Sequence, residues 1–537
     1  MTILTVPKKQ FEKEVGNLTE EMQKQIAMFG TPVEELTDDE LQIEIFPNRP
    51  DLLSYQNYKN AFLTYLGKKK PQKYKIRKSG VLFKVDKSVK DIRPYTMAAI
   101  VKNVKFTDEK IKEIMQFQEK LHLSVGRNRK KVAMGYYDLS KIKFPVRYIA
   151  KNPKDIFFEP LDMPQKMSAL QILSRHPCGR DYGNQLEGFN KFPVYYDDND
   201  EVLSLPPIIN SNNSGKIVSG VSDVLIECSG TNQEILKKVI SIAVVDLISC
   251  GGVAYSVGID YGDKIELINL KPDKIKLSVE NVNKLLGLNL KENEIKDLLG
   301  KMGHEYSKGI VNVPCQRTDV LHEVDLIEDI AIAYGYDNFI PEIPEVSTIG
   351  ESDNKEIIKS RIAEILSGLG LLETSSFHLT TKDMQFKKLG RKAENFVEVK
   401  DSKTEYSILR QDLSHCLLKI LSENVDVSYP QEIFQIGTVF EGYNETENLT
   451  IAIAPGNFTK LKQILEYLSR MLDVEFKIEI PENVPEHFID GRVGEILFNG
   501  KSIGYFGEVH PKILNNFKIK LPVSLLEINI EEILKIN

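Results

Sequence analysis

Cysteine is scarce and scattered in this chain. The five thiols, Cys178, Cys228, Cys250, Cys315 and Cys416, form no C-x-x-C pair. That argues against a zinc ribbon and a disulfide scaffold and fits a reducing compartment. No apolar run reaches about 18 residues and no secretory signal is found, so no membrane partner and a cytoplasmic location are expected. A basic excess is also lacking. Lys+Arg number 70 against 77 Asp+Glu, a net −7, so any nucleic-acid contact has to come from local basic patches. No glycine-rich phosphate loop is found either. What remains is an ordinary composition, 42% hydrophobic and 27% charged over 537 residues. The length suggests about three or four domains.

The stretch Arg317–Pro341 organises the reading. Asp325, Glu328 and Asp329 stand at i, i+3 and i+4, so a helix gathers them on one face, with Asp319 just upstream. Val320, Val324, Ile327, Ala331 and Tyr334 recur at helical spacing on another face. Two readings are open from spacing: a solvated acidic face, or a site for a hard divalent ion such as Mg²⁺.

The wording of the stretch is more specific than its spacing. Arg317-x-Asp319-Val320, then Asp325-Leu326-x-Glu328-Asp329-Ile330, then Tyr334-Gly335-Tyr336-Asp337-Asn338 resembles the B5 domain of phenylalanyl-tRNA synthetase beta subunits. The resemblance implies that Asp319, Asp325, Glu328 and Asp329 hold magnesium near the interface with an alpha subunit.

Four domains are expected: 1–82, 83–268, 269–346 and 347–537. The first reads as a small α/β module, with LQIEIF as a half-buried strand. Its NRPDLLS string is a turn and cap, and also occurs in the first domain of the same synthetase subunits. Gly67–Gly80 carries seven Lys/Arg; a linker is favoured over a phosphate-contacting strap. In the second domain a helix is expected over Phe106–Leu121, capped by Thr107 or Asp108. Arg127, Arg129, Lys130 and Lys131 follow, beside Tyr136 and Tyr137. They form either an exposed basic turn or a grip on a single-stranded tRNA end.

This second domain resembles the B3/B4 editing domain of the family in its archaeal and eukaryotic-cytosolic version. The resemblance implies hydrolysis of tyrosine wrongly attached to tRNA(Phe). An apolar pocket rejects an added hydroxyl only about 10²-fold, so a second site is needed. Candidate lining residues are Asn210, Ser211, Asn212, Asp223, Glu227, Gly230 and Thr231. No nucleophile–base pair stands at diagnostic spacing, which favours a positioned water over a covalent intermediate.

Residues 269–346 read as helix, helix, strand, helix, similar to the winged-helix-like B5 arrangement. Residues 347–537 resemble the class II synthetase core, antiparallel strands with flanking helices, in an inactive copy. Arg410 lacks the usual Arg-x-Glu setting, and no arginine follows Arg492. TSSFHLTT is read as a strand, YSILRQDLSHCLLKILSENV as one helix, and Asn499-Gly500 as a type I′ hairpin turn. His415, His487 and His510 are read as structural.

The expected fold class is thus multidomain α+β. The resemblance spans nearly the whole chain. No oligonucleotide-binding insertion and no C-terminal anticodon module are seen, which points to the archaeal/eukaryotic type. It implies an α₂β₂ enzyme that joins phenylalanine to tRNA(Phe) with ATP and Mg²⁺, the alpha partner supplying the synthetic site. The alternatives are a tRNA-binding scaffold with a decayed editing site, or a free-standing deacylase.

Overall fold

Alternation builds the first sheet. Leu41, Ile43 and Ile45 are all buried, and their strand, Glu40–Ile45, pairs antiparallel with Thr2–Pro7 on one side and Val33–Leu36 on the other. The computed structural model describes residues 2–346 and 348–535. Backbone contacts divide the chain into two units, Met1–Ile343 and Pro344–Asn537.

In the first unit, the NRPD string is more than a turn. Arg49 donates from Nε and Nη2 to both carboxylate oxygens of Asp51, each at 2.9 Å, and both residues are buried. Ser54 then caps the helix Tyr55–Tyr65 by accepting from the Asn57 amide. The basic stretch Gly67–Gly80 is not a linker throughout. Its last residues begin the strand Ile76–Val85, which pairs in parallel with Val253–Asp260. Phe83 is buried while Arg77, Lys78 and Lys84 are exposed, which suits a strand with one open face.

The main sheet runs in the order Ile209–Asn210, Val202–Leu205, Phe192–Tyr196, Val146–Lys151, Ile76–Val85, Val253–Asp260, Tyr95–Lys102, Val224–Gly230 and Val132–Asp138. Ile265–Glu266 adds a tenth strand beside Val253–Asp260. The two pairings of Ile76–Val85 are parallel, and the others along this path are antiparallel. The helix Asp108–Leu123 starts at Thr107, whose side chain accepts from the Lys110 amide. Gln233–Ser249 is apolar nearly all round and sits between this sheet and the helix Tyr55–Tyr65, as such a pattern requires.

Asp273–Lys276, Ile310–Val313 and Glu305–Ser307 form a separate three-stranded sheet. It shares a core with the helices Val279–Leu286, Glu292–Lys301 and Glu323–Tyr334, through Val282, Ile295, Leu299, Leu326 and Ile330.

The second unit is built on a seven-stranded sheet ordered Leu372–Glu373, Gln431–Glu441, Asn444–Ala454, Ser524–Asn529, Lys501–Val509, Phe488–Phe498 and Lys477–Glu479. All pairings but the first are antiparallel. Asn499 and Gly500 both take positive φ, 51° and 76°, as a type I′ turn requires. The helices Asn354–Gly368 and Phe458–Leu472 share one core with the sheet, and Ser414–Glu423 packs in another.

Two sequence expectations fail here. TSSFHLTT is only a two-residue strand, Leu379–Thr380, preceded by irregular backbone. YSILRQDLSHCLLKILSENV is not one helix. Ile408–Leu409 is a strand paired with Leu379–Thr380, and the helix starts at Ser414. The apolar spacing of Leu409, Leu413 and Leu417 imitates a helix, but Leu409 is half-buried in a strand pairing instead. The break places Arg410 in the interior.

Candidate functional site

A cavity of about 280 Å³ lies where the first and last strands of the main sheet approach each other. Its walls come from Val132–Asp138, Val202–Leu205, Val224–Gly230 and the helix Asp108–Leu123. Glu227 stands mid-strand among apolar neighbours, so the strand that fixes it also buries it, leaving it 4% exposed. At the polar wall, the Tyr137 hydroxyl lies 2.8 Å from Glu227 Oε1, 2.9 Å from Ser204 Oγ and 3.2 Å from Asn210 Oδ1. Glu227 Oε2 is buried without a partner. Burial raises the Glu227 carboxyl to about 7, against the hydrogen bond from Tyr137 that favours its charged form. An orphan acceptor of this kind, facing a cavity, suits a ligand that brings a hydroxyl or amine.

The opposite wall carries Glu119, His122 and Arg129. Arg129 donates to the Ile208 carbonyl at 2.9 Å and to Glu119 Oε2 at 3.2 Å, and its guanidinium lies 4.2 Å from the Tyr182 ring centroid. His122 Nε2 accepts from the Met134 amide, and burial lowers the imidazole's pKa. His122 is therefore a neutral polar group at the wall.

The structure divides the expected lining residues. Asn210 and Glu227 line the cavity. Ser211 instead caps the short helix Asn212–Gly215, accepting from the Asn213 amide. Asn212 donates to Glu159 and keeps a buried, unpartnered Oδ1. Asp223 accepts from the Asn103 amide away from the cavity, and Thr231 is exposed. Gly230 is a packing requirement: a Cβ there would come within 2.1 Å of the Lys131 carbonyl oxygen. Sequence reasoning missed Tyr137 as a site residue, along with Ser204 and His122. One signal was available, since Glu227, the lone carboxylate in VLIECSG, must find polar partners in a strand with no polar face.

The basic turn is likewise divided. Arg127, Asn128 and Arg129 all take left-handed backbone, with φ of 49°, 53° and 65°, a strained run for non-glycine residues. Arg93 holds it in place. Its buried guanidinium donates to the carbonyls of Arg129 and Lys130 and to Ser229. Arg127 and Lys130 are exposed, Lys131 is half-buried, and Arg129 turns into the cavity wall. Tyr136 and Tyr137 are fully buried, so neither offers a face for base stacking.

The acidic stretch forms the helix Glu323–Tyr334. Its carboxylates fall into two pairs rather than one set. Arg317 donates from Nε and Nη2 to Asp319 at 3.0 and 2.8 Å, and from Nη2 to Asp329 Oδ1 at 3.0 Å. His304 Nε2 lies 2.6 Å from Asp329 Oδ2. Arg317, His304 and Asp329 are buried. Against the penalty of burial, Arg317 and His304 hold the Asp329 carboxyl down at about 2. Asp325 caps the helix, accepting from the Leu321 and His322 amides at 2.8 Å. Glu328 accepts from the exposed Tyr336 hydroxyl. Among the described residues, no three His, Cys, Asp or Glu side chains converge as a metal-ligand set. Asp319 and Asp329 are already neutralised by a cation of the chain itself, which does not fit a four-carboxylate magnesium cage. Asp325 and Glu328 lie outside that ion pair, and a hydrated magnesium ion commonly takes only one or two carboxylates and keeps its waters.

Comparison with known proteins covers both units. Residues 275–336 match the tRNA synthetase B5 domain family, and residues 340–530 match the phenylalanyl tRNA synthetase beta chain CLM domain family. The phenylalanine–tRNA ligase beta subunit of Archaeoglobus fulgidus is 38% identical over 99% of this chain and 98% of its own. The chain belongs to the phenylalanine–tRNA ligase beta-subunit family. The Pyrococcus horikoshii beta subunit is 37% identical over 90% of this chain and 89% of its own. A crystal structure of an N-terminal fragment of the phenylalanyl-tRNA synthetase beta-subunit from Pyrococcus horikoshii covers 62% of this chain and 99% of the fragment. It aligns with a TM-score of 0.60 at 32% identity.

The CLM-family unit holds a polar cavity of about 420 Å³, lined by Arg391, Asp412, Asn448, His487, Tyr505 and Glu527 among others. Arg391 pairs with Asp412 at 2.7 Å and donates to the His487 ring. His415, also read as structural, has a partner too: its Nδ1 lies 2.9 Å from Asp412 Oδ1. His510 caps the helix Pro511–Asn516 through its ring nitrogen. Among the described residues, no helix is long and apolar enough to cross a membrane.

Proposed function

We propose that this chain is the beta subunit of a phenylalanine–tRNA ligase that acts with an alpha subunit as an α₂β₂ cytoplasmic enzyme. The assembly would join phenylalanine to tRNA(Phe) at the expense of ATP. The observation that carries this reading is similarity along 99% of the chain to a named beta subunit, in both units. The CLM-family sheet would serve as a class II-like scaffold without its own adenylating site. Arg410 supports this, since it is 2% exposed and donates to protein oxygens only, so it offers no clamp to ATP phosphates. The three-stranded B5 region is read as winged-helix-like.

The expected result is charging of tRNA with phenylalanine only when this chain is mixed with its alpha partner. A verified complex that fails to charge, with an intact alpha active site, would sink the assignment. Charging by this chain alone would overturn the inactive reading of the second unit.

Editing of tyrosyl-tRNA is assigned to the cavity around Glu227, in a B3/B4-type domain. Glu227 Oε2 would accept the tyrosine hydroxyl, which phenylalanine cannot supply. Asn210 and Ser204 would hold Tyr137 and Glu227 in place. The exposed Arg127 and Lys130 would contact tRNA phosphates outside, with Lys131 behind them.

Magnesium would be held by Asp325 and Glu328 with its remaining positions filled by water and by the alpha subunit. Bound there it would supply positive charge that neutralises the exposed acidic face at the subunit contact. Glu328→Gln is expected to remove any rise in melting temperature that millimolar Mg²⁺ gives the complex, while leaving the metal-free stability within about 0.5 kcal/mol of the original. An unchanged response to Mg²⁺ would assign the ion elsewhere.

A further inference from the structure

Four of the five thiols are inert by environment. Burial raises Cys178, Cys228, Cys250 and Cys315 above the ordinary range. Cys416 sits in a different setting, at the N-terminal turn of the helix Ser414–Glu423. Its Sγ is 3.5 Å from His415 Nε2. His415 is oriented from behind by Asp412 at 2.9 Å, and Thr380 Oγ1 lies 3.0 Å from the same Nε2. Thiol, imidazole and carboxylate thus stand in the order of a nucleophile, a base and its orienting group.

Arg410 supplies a second, independent observation. The residue is 2% exposed. It donates to the Thr438 carbonyl at 2.8 Å and to the Ser376 carbonyl and hydroxyl at 3.2 and 3.0 Å. Among the described residues no carboxylate forms an ion pair with it. A buried guanidinium without a counter-ion is costly, and negative charge on Cys416 would favour the Arg410 cation more than that on Glu447 or Glu527. Burial alone would raise the Cys416 thiol, but the His415 imidazolium, with hydrogen bonds from His415 and Ser376, outweighs it and lowers the pKa. Lys419 and Glu423 lie at the rim, and Arg391 balances the far side of Asp412. The sulfur faces a cavity of about 280 Å³ lined by Ser376, Leu379, Met384 and Tyr406, room for a small molecule.

We propose that Cys416 is a thiolate modification site that reacts with small peroxides. The sulfur lone pair attacks one peroxide oxygen, an S–O bond forms and the O–O bond breaks. The leaving hydroxide takes the proton of the His415 imidazolium and departs as water. Cysteine thiolate is oxidised to sulfenic acid and the peroxide is reduced. No second cysteine is present in residues 344–537, so the product stays a sulfenic acid or is capped by a small thiol. Oxidation also removes the anion that balances Arg410, which ties the redox state to the strand and loop that Arg410 holds.

The test treats the full chain with limiting hydrogen peroxide and dimedone between pH 5.5 and 8.5, and maps the adducts by mass spectrometry. Cys416 is expected to react about tenfold or more faster than the more exposed Cys178, Cys250 and Cys315 at pH 6.5, with a rate that rises by less than about tenfold per pH unit. His415→Gln is expected to slow labelling and to restore an increase of about tenfold per pH unit. Labelling of Cys416 in the unsubstituted chain that is no faster than Cys178, or that climbs tenfold per pH unit, would overturn the proposal whatever the variant does.

Discussion

Glu227→Gln is expected to slow hydrolysis of tyrosyl-tRNA(Phe) by roughly 10- to 100-fold, the equivalent of losing one hydrogen bond to a charged acceptor, about 1.5–3 kcal/mol. Charging with phenylalanine should stay unchanged. The asymmetry follows from geometry. Oε1 is already engaged by Tyr137, and only Oε2 is left for a substrate hydroxyl. Glutamine keeps the size of the side chain but can turn its amide toward the cavity, offering a donor where an acceptor is needed. The pH profile separates this role from a merely structural one. Burial raises the Glu227 carboxyl to about 7, so the acceptor form grows as pH rises through 7, and tyrosyl-tRNA hydrolysis should grow with it. In the glutamine variant that step disappears. Stability runs the other way. The folded chain holds this proton more tightly than the unfolded chain, so the contribution is complete below the unfolded value near 4.3 and is lost as pH rises through about 7. Melting curves at pH 5 and pH 8 should therefore differ less for Glu227→Gln than for the original. Equal hydrolysis rates in the two proteins at every pH would remove Glu227 from substrate recognition.

How much of this was legible in the sequence depends on the range of the interaction. Local signals read well. Thr107 as a cap, the alternation in LQIEIF, and the Asn499-Gly500 turn each depend on residues a few positions apart. Longer apolar spacing misled once, at Leu409–Leu417, where a strand and a helix in series share one periodicity. The cavity was legible only in part. Tyr137 and Glu227 are 90 positions apart and meet because their strands are neighbours in register, with Tyr137 opposite Leu225. No local pattern encodes such a meeting. The basic cluster shows the converse. Arg127, Arg129, Lys130 and Lys131 look equivalent in the sequence, yet the left-handed turn sends Arg129 inward to the Ile208 carbonyl and leaves Arg127 outside.

The acidic helix gives the largest stability effect. Arg317→Leu leaves Asp319 and Asp329 without their cation, and stranding a buried charge in this way destabilises by about 3–5 kcal/mol. Asp329→Asn removes one of the two carboxylates that hold Arg317 and should also destabilise, though less, because Asp319 still holds Arg317 bidentately. Asp325→Asn weakens a helix cap and belongs near 1 kcal/mol. Glu328→Gln, on an exposed face, should change stability little. Asp329 therefore separates from Asp325 and Glu328 by energy, as the Asp319–Asp329 pair separates from them by geometry. Acid titration checks the sign. The Asp329 carboxyl is held at about 2, so its contribution is present above the unfolded value near 3.9 and is lost as pH falls through about 2. The original should lose stability steeply on that acid limb, and Asp329→Asn should lose less. If all four substitutions cost the same, and magnesium restores each equally, the Arg317 pairing is not what holds this helix. The four carboxylates would then have to act as one metal-bound set.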